Sequence, residues 1–262
     1  MSLSVEQVAS LADHVLGAQL QATPIPKLTE DHPGMTVADG YQVQLALLAR
    51  YRDRGQRLVG FKAGLTSRAK MRQMGVDTPS IGFLTEAMAV PEGEVVATDA
   101  MVHPRVECEV AFVLAHDLPG EDCTADDVLA ATAFVAPSIE IIDSRFHGFR
   151  FDLQSVVADN SSSARFVVGG NGRRLSTLDR RTLGVVLLKN GEVLATGASA
   201  AVLGDPAEAV ALVARLAASL GLRIRAGMTV LSGGITAAFP VAPGDHISAR
   251  FQDLGVVDVR FS

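Results

Sequence analysis

Cysteine is scarce in this sequence: Cys108 and Cys123 are the only two among 262 residues. They could pair, but two cysteines in a chain of this length are typical of reduced thiols in an intracellular protein. No apolar run approaches the roughly 18 residues of a membrane-spanning helix. The N-terminus, MSLSVEQVASLADHV, lacks the basic and apolar regions of a signal peptide. We therefore expect a cytoplasmic protein without a membrane partner.

Basic residues are outnumbered, with 23 Lys and Arg against 29 Asp and Glu and a net charge of −6. This balance argues against nucleic acid as a main partner. The sequence has no G-x-S-x-G elbow and no P-loop, and its six histidines show no metal-ligand spacing. Apolar residues make up 48% of the chain, which is enough for a sizeable core and argues against disorder.

The order of the predicted elements indicates an α+β fold. Helices are expected first, one after a capping box at Ser4 and a second opened by Thr36 with Asp39, followed by a largely antiparallel β body. Asn190-Gly191 predicts the type I′ turn of a hairpin, and Asp205-Pro206 opens a later helix. A short helix is also expected in SRAKMRQMG, residues 67–75. We predict an N-terminal helical segment over residues 1–56 and a catalytic β domain over residues 57–262, integrated into one domain.

Three acidic residues stand out in apolar strand patterns. Glu107 and Glu109 lie two apart in HPRVECEVAFVLA, so both carboxylates point to one face of the strand. Glu140 lies between isoleucines in APSIEIIDSR. Neighbouring carboxylates in a partly buried place need a cation or a shared proton. Oxygen ligands alone favour Mg²⁺ or Mn²⁺. The alternative is that Glu107 and Glu109 line the solvent face of an edge strand.

A lysine in a strand that is otherwise apolar raises a similar question. Lys62 lies in RLVGFKAG, and burying an ammonium group costs several kcal/mol unless an opposite charge compensates it. The alternative is an edge-strand lysine whose amino group reaches water. Two further segments are ambiguous: VVADNSSSARF is either a polar turn or part of a site, and LSGGITAAFP is either a glycine turn or an anion-binding one.

Five segments occur in the same order in a known family: GFKAGLTSRAKMRQMGVDTPSIGFL, HPRVECEVAFVL, PSIEIIDSRF, SVVADNSSS and LSGGITAAFPVAPGD. From Glu6 to Phe261 the chain resembles the 2-keto-4-pentenoate hydratase / 2-oxo-3-hexenedioate decarboxylase family of the fumarylacetoacetate-hydrolase superfamily. Residues 71–84 and 233–245 are more similar to the decarboxylases. The resemblance implies a mixed, largely antiparallel β-roll with flanking helices and a bound Mg²⁺ or Mn²⁺.

The resemblance also implies roles for individual residues. The metal-binding acids of the family fall on Glu107, Glu109 and Glu140, and its active-site lysine falls on Lys62. Asp77 corresponds to an acid near the reacting end of the substrate. The implied substrate-binding residues are Leu65, Thr66, Ser67, Ser161, Gly234 and Thr236.

Four functions follow as hypotheses. The first is metal-dependent decarboxylation of 2-oxo-3-hexenedioate, a small 2-oxo dicarboxylate, in the meta-cleavage catabolism of aromatic compounds. The second is hydration of 2-hydroxypenta-2,4-dienoate. The third, acylpyruvate hydrolysis, is disfavoured because no histidine has Glu three positions later. The fourth is a non-catalytic small-acid binding subunit.

Homo-oligomers and a complex with the pathway hydratase are both compatible with the resemblance. Arg145 and Arg165 are candidates to attract a dianion from the rim of the site, with plain surface charge as the alternative.

Overall fold

Two β-sheets form the centre of the protein in the computed structural model, which describes residues 2–67, 71, 79–170 and 172–262. The first sheet has seven strands in the order β2-β1-β9-β4-β5-β6, with β10 paired to β4 outside this path. The second has five strands in the order β3-β12-β11-β7-β8. Most strand pairs are antiparallel, and the exceptions are β1 with β9 and β12 with β3.

The elements follow one another as helices and then mainly strands. The helices are α1 (Val5–Leu20), α2 (Leu28–Asp31), α3 (Val37–Asp53), α4 (Ala125–Ala131), α5 (Leu153–Ala158) and α6 (Pro206–Ser219). The strands are β1 (Leu58–Gly64), β2 (Ser80–Thr85), β3 (Val95–Val96), β4 (Pro104–Leu114), β5 (Thr132–Asp143), β6 (Ser163–Val168), β7 (Gly184–Lys189), β8 (Glu192–Ala198), β9 (Thr229–Leu231), β10 (Phe239–Pro240), β11 (His246–Phe251) and β12 (Gly255–Phe261).

Side-chain caps fix the starts of the N-terminal helices, as the sequence predicts. The Ser4 hydroxyl accepts from the Gln7 backbone N–H, and Thr36 and Asp39 form a second capping box. Within α3, the Gln44 side chain donates to the carbonyls of Ile81 and Val157, which joins the helix to β2 and α5. One hydrophobic core includes apolar residues of both the N-terminal helices and the sheets. The division at residue 56 stays a prediction.

The predicted α+β class is confirmed, with curled, mostly antiparallel sheets and flanking helices. The hairpin of β7 and β8 turns at Asn190 and Gly191, which both have positive φ. Strand β2 was not predicted from the sequence, because it is fully buried and its residues do not alternate between polar and apolar. The helix expected over residues 67–75 lies largely outside the described residues. Among the helices that are described, each is too short or too polar to cross a membrane.

Candidate metal centre and adjoining cavity

Two neighbouring strands bring the three predicted acids together. Glu107 on β4 lies directly opposite Glu140 on β5, and Glu109 lies two residues further along the same face of β4. Each residue offers a carboxylate oxygen, and the three oxygens lie within 4.8 Å of one another. All three residues are buried, so the alternative of a solvent-facing edge strand is wrong.

This cluster concentrates negative charge where water cannot screen it. Burial, together with repulsion from Glu140 and Glu107, raises the pKa of Glu109 well above its usual value. Burial also raises the pKa of Glu140, although the Lys62 ammonium opposes the shift. The Oε1 atoms of Glu109 and Glu140 have no hydrogen-bond partner among the described residues. Unpaired, converging carboxylate oxygens are the ligand set of a hard divalent cation, so the residues fit Mg²⁺ or Mn²⁺.

Lys62 is a buried member of the same cluster and does not extend to water. It lies on β1, is 3% exposed, and its Nζ donates to Oε2 of Glu140 at 3.1 Å. Burial lowers the pKa of Lys62, but attraction to Glu140, Glu109 and Glu107 outweighs that effect and the net pKa is raised. The carboxylates therefore compensate the cost of burying the ammonium group.

The glycine turn after β9 approaches the carboxylates closely. The Gly233 N–H donates to Oε2 of Glu109 at 2.6 Å, and Gly233 has φ of +107°. A Cβ atom on Gly234 would lie 1.9 Å from Oε2 of Glu107. Glycine is therefore needed at both positions, one for its backbone conformation and one for space. The hydroxyl of Thr236 accepts from the backbone N–H of Cys108 on β4.

A left-handed turn supplies the polar wall of the site. Asn160, Ser161 and Ser162 have φ values of 50°, 51° and 58°. Non-glycine residues rarely adopt this conformation, so three in succession require strong support. Asn160 gives part of it, because its side chain accepts from the N–H of Phe83 and donates to the carbonyl of the same residue. Ser161 donates to the Ile81 carbonyl at 2.9 Å, so its one hydroxyl proton is used within the protein.

Arg145 gives the turn its second support, and the expectation that it attracts substrate from the rim is wrong. Its side chain is fully buried and its Nε donates to Oδ1 of Asp159. Further Arg145 side-chain bonds reach the Asp159 carbonyl at 2.6 Å and the Ser163 carbonyl at 3.4 Å. Arg145 therefore holds both ends of the turn. Its pairing with an acid 14 residues away is a tertiary contact that no local pattern indicates.

A cavity of about 500 Å³ opens above Lys62 and Glu107. Of the predicted substrate-binding residues, Leu65, Thr66, Ser161 and Gly234 line it, whereas its lining among the described residues includes neither Ser67 nor Thr236. Asp77 lies outside the described residues. The rest of the lining is Ala63, Gly64, Ser80, Arg105, Ile142, Phe149, Arg150, Phe151, Val156, Ser162, Ala237 and Ala238.

Among the described residues, the arginines at this cavity are Arg105 and Arg150, and neither was predicted from the sequence. The described lining does not include Arg165, which donates to the carbonyl of its neighbour Ala164. A signal for Arg105 was present, because it lies two residues before Glu107 and so shares its face of β4. For Arg150, which follows the short turn His147–Phe149, no comparable pattern exists.

Comparison with known proteins agrees with this architecture. Residues 60–262 match the model of the fumarylacetoacetate (FAA) hydrolase C-terminal family, and the chain belongs to that family. It is 53% identical over 260 residues to a 4-oxalocrotonate decarboxylase of Pseudomonas sp. (strain CF600), covering 99% of this chain and 98% of that protein. A 2-hydroxyhexa-2,4-dienoate hydratase of Comamonas testosteroni is 37% identical over 243 residues, 92% of each chain.

A solved structure extends the comparison to three dimensions. The 4-oxalocrotonate decarboxylase of Pseudomonas putida G7, complexed with magnesium and adipate, superposes with a TM-score of 0.97 at 50% identity. The match covers 100% of this chain and 99% of that chain. The resemblance noted in the sequence is therefore confirmed at the level of family and fold.

Proposed function

We propose that this protein is a cytoplasmic lyase that decarboxylates 2-oxo-3-hexenedioate (4-oxalocrotonate) to 2-hydroxypenta-2,4-dienoate, with Mg²⁺ or Mn²⁺ bound by Glu107, Glu109 and Glu140. The observation that carries the proposal is the buried cluster of three carboxylates and Lys62, of which Glu107 and Lys62 line a cavity. Identity of 53% over nearly the whole chain to a 4-oxalocrotonate decarboxylase supports the choice of reaction. The magnesium in the Pseudomonas putida G7 structure supports the choice of metal.

The reaction breaks the bond between C5 and C6 of the substrate and releases C6 as CO₂. The electron pair of that bond moves through the conjugated chain to the C2 oxygen, which then takes up a proton. A bound divalent ion supplies Lewis-acid stabilisation of negative charge on that oxygen. Lys62 adds a fixed positive charge beside the same atoms, where negative charge grows during the reaction.

Other residues bind the substrate and exclude water. Leu65, Thr66, Ser161 and Ser162 line the cavity together with Lys62. Ile142, Phe151 and Val156 add apolar surface to the same lining, which limits the water around the substrate. Asp77 is proposed as a proton donor or acceptor near the reacting end. Ser67 and Thr236 would contribute through neighbouring residues, since the described cavity lining includes neither.

Hydration of 2-hydroxypenta-2,4-dienoate is the second candidate. The 37% identity to a hydratase favours it as a related activity, because the same carboxylates and lysine would bind the 2-oxo acid end in both reactions. Association with the pathway hydratase, or with further copies of this chain, is also part of the proposal.

The two reactions separate when both substrates are followed in parallel. Purified protein with Mg²⁺ is incubated with 2-oxo-3-hexenedioate or with 2-hydroxypenta-2,4-dienoate, and CO₂ and 4-hydroxy-2-oxopentanoate are measured. We expect rapid CO₂ release from the diacid, its loss with excess chelator, and slow hydration of the monoacid. Rapid hydration with little CO₂ would make this protein a hydratase. Binding of the diacid without any turnover would make it a binding subunit.

A further inference from the structure

On the face of β4 and β5 that carries the acids, one more residue pair lies next to Glu107 and Glu140. Glu107 pairs with Glu140, and the next pair on the same face is Arg105 with Ile142. Arg105 and Ile142 line the cavity together with Glu107. A guanidinium group therefore lies on the same sheet face as the carboxylate cluster, two positions before Glu107 along β4.

Arg105 is oriented by an aromatic ring, and among the described residues no carboxylate is paired with it. Its Cζ lies 4.1 Å from the centre of the Phe149 ring, a cation–π contact that orients the guanidinium plane. The partner of Arg105 on β5 is the apolar residue Ile142, and both line the cavity. A positioned guanidinium with unused donors in a ligand cavity favours a carboxylate, which it can bind through two parallel hydrogen bonds.

A ligand that reaches both the carboxylate cluster and Arg105 needs a group for each. If its 2-oxo acid end binds at the cluster, a second carboxylate at the other end of the molecule can extend along the cavity towards Arg105, which lines the same cavity as Glu107. We propose that Arg105 binds the carboxylate at the far end of the substrate and makes the site selective for 2-oxo dicarboxylates over 2-oxo monocarboxylates. This inference rests on the proposed function and names the residue that determines its substrate class.

A contact to the far carboxylate has a defined kinetic consequence. In the proposed reaction that carboxylate loses its charge as CO₂ forms, so the contact is strongest before the reaction and weakens as the bond breaks. Such an interaction lowers KM and does not raise kcat. Arg105 is accordingly a specificity-determining residue, and removing it should raise KM for the diacid while kcat falls little or even rises.

Direct binding of unreactive ligands tests the inference without relying on turnover. Calorimetric titrations in the presence of Mg²⁺ would compare 2-oxohexanedioate with 2-oxohexanoate, which has the same chain and lacks the far carboxylate. In Arg105→Met we expect affinity for the diacid to fall by about tenfold to a hundredfold, the range for losing a hydrogen bond to a charged group. Affinity for the monoacid should stay unchanged. Arg105→Lys, which keeps the charge but not the fork of donors, should give an intermediate loss for the diacid.

Arg260→Met is the matched control, because it removes the same charge from an exposed position on β12 in the other sheet. It should leave both affinities as in the wild type. Equal losses for both ligands in the Arg105 variants, or no loss for the diacid, would overturn the inference. If Arg105→Met does not fold, Arg105→Lys decides alone by the same comparison. Selective diacid binding by a wild-type protein that releases no CO₂ would refute the proposed reaction and leave the role of Arg105 intact.

Discussion

The two sheets differ in whether their charged side chains are exposed or buried. In the five-stranded sheet, β11 and β12 alternate regularly: Ile247, Ala249, Val257 and Val259 are buried, while charged residues face outwards. His246 and Asp258, for example, form a pair 3.2 Å apart with both side chains 41% exposed. In the seven-stranded sheet, Lys62, Glu107, Glu109 and Glu140 are buried on strands that are apolar around them.

This difference separates residues that stabilise the fold from residues that we propose perform the function. An outward charge on an alternating strand is solvated, so it adds little free energy and its loss costs little. A buried charge lowers stability unless a partner or a cation compensates it. In the seven-stranded sheet the carboxylates compensate the buried Lys62, while burial and mutual repulsion destabilise the charged forms of Glu109 and Glu140, and binding of a cation would offset that cost.

The largest effect is expected for the acids. Glu107→Gln or Glu109→Gln should abolish metal-dependent turnover while the fold stays intact, because an amide cannot balance the charge of a divalent ion. Steady-state assays with Mg²⁺, with circular dichroism as the folding check, measure this. Glu192→Gln on β8, an exposed position of the other sheet, is the control and should retain activity. Full activity in either site variant would contradict the assignment.

Lys62 should have the next largest effect. We expect Lys62→Met to lower kcat by roughly two orders of magnitude or more, the scale of removing one preorganised electrostatic contact. Binding of a 2-oxo acid inhibitor should weaken less. Borohydride treatment during turnover provides a second readout, because a stable substrate adduct on Lys62 would replace the electrostatic role with a Schiff base.

Stability should respond in opposite directions in the two sheets. Leu187→Ala on β7 removes a fully buried apolar side chain and should cost about 2–5 kcal/mol of unfolding free energy. Glu109→Gln should stabilise the metal-free protein, since it removes a buried carboxylate that burial and two neighbours destabilise. Urea unfolding in the presence of a chelator measures both. Destabilisation by Glu109→Gln without metal would show that its charge is already compensated within the protein.

The smallest effect is the pH dependence of stability that comes from two residues outside the β-strands, Tyr41 and Cys123. Burial raises the pKa of Tyr41 to about 12 and that of the Cys123 thiol to about 11, above the 10.0 and 9.0 of the free groups. The unfolded chain therefore loses these protons first, and their contribution to stability is complete below pH 9 and lost as the pH rises towards 12. Urea midpoints in Cys123→Ala should show a shallower decline above pH 9 than those of the wild type.

Local sequence patterns predicted the parts of the fold that have local causes. The capping boxes at Ser4 and Thr36 and the Asn190-Gly191 turn each depend on residues within four positions of one another. The β2 strand was missed because SIGFLT is buried on both faces, so no alternation distinguishes it from a buried helical segment.

In the candidate site, charged residues that interrupt apolar strand patterns could be recognised from the sequence, whereas ion pairs between distant residues could not. Glu107, Glu109 and Glu140 were identified because acids in apolar strands need a reason. The burial of Arg145 and its bond to Asp159 depend on how the chain folds back on itself, and its charge alone suggested a surface role. Arg105 could have been found by extending the two-residue period of Glu107 and Glu109 by one step.

The most direct test of this account is a calorimetric titration of Mn²⁺ into the metal-free protein and its three glutamine variants at positions 107, 109 and 140. We predict that the wild type binds one ion per chain and that each variant binds it far more weakly, while Glu192→Gln binds as the wild type does. Wild-type affinity in all three site variants would contradict the central claim that the buried acids of the seven-stranded sheet form a metal centre.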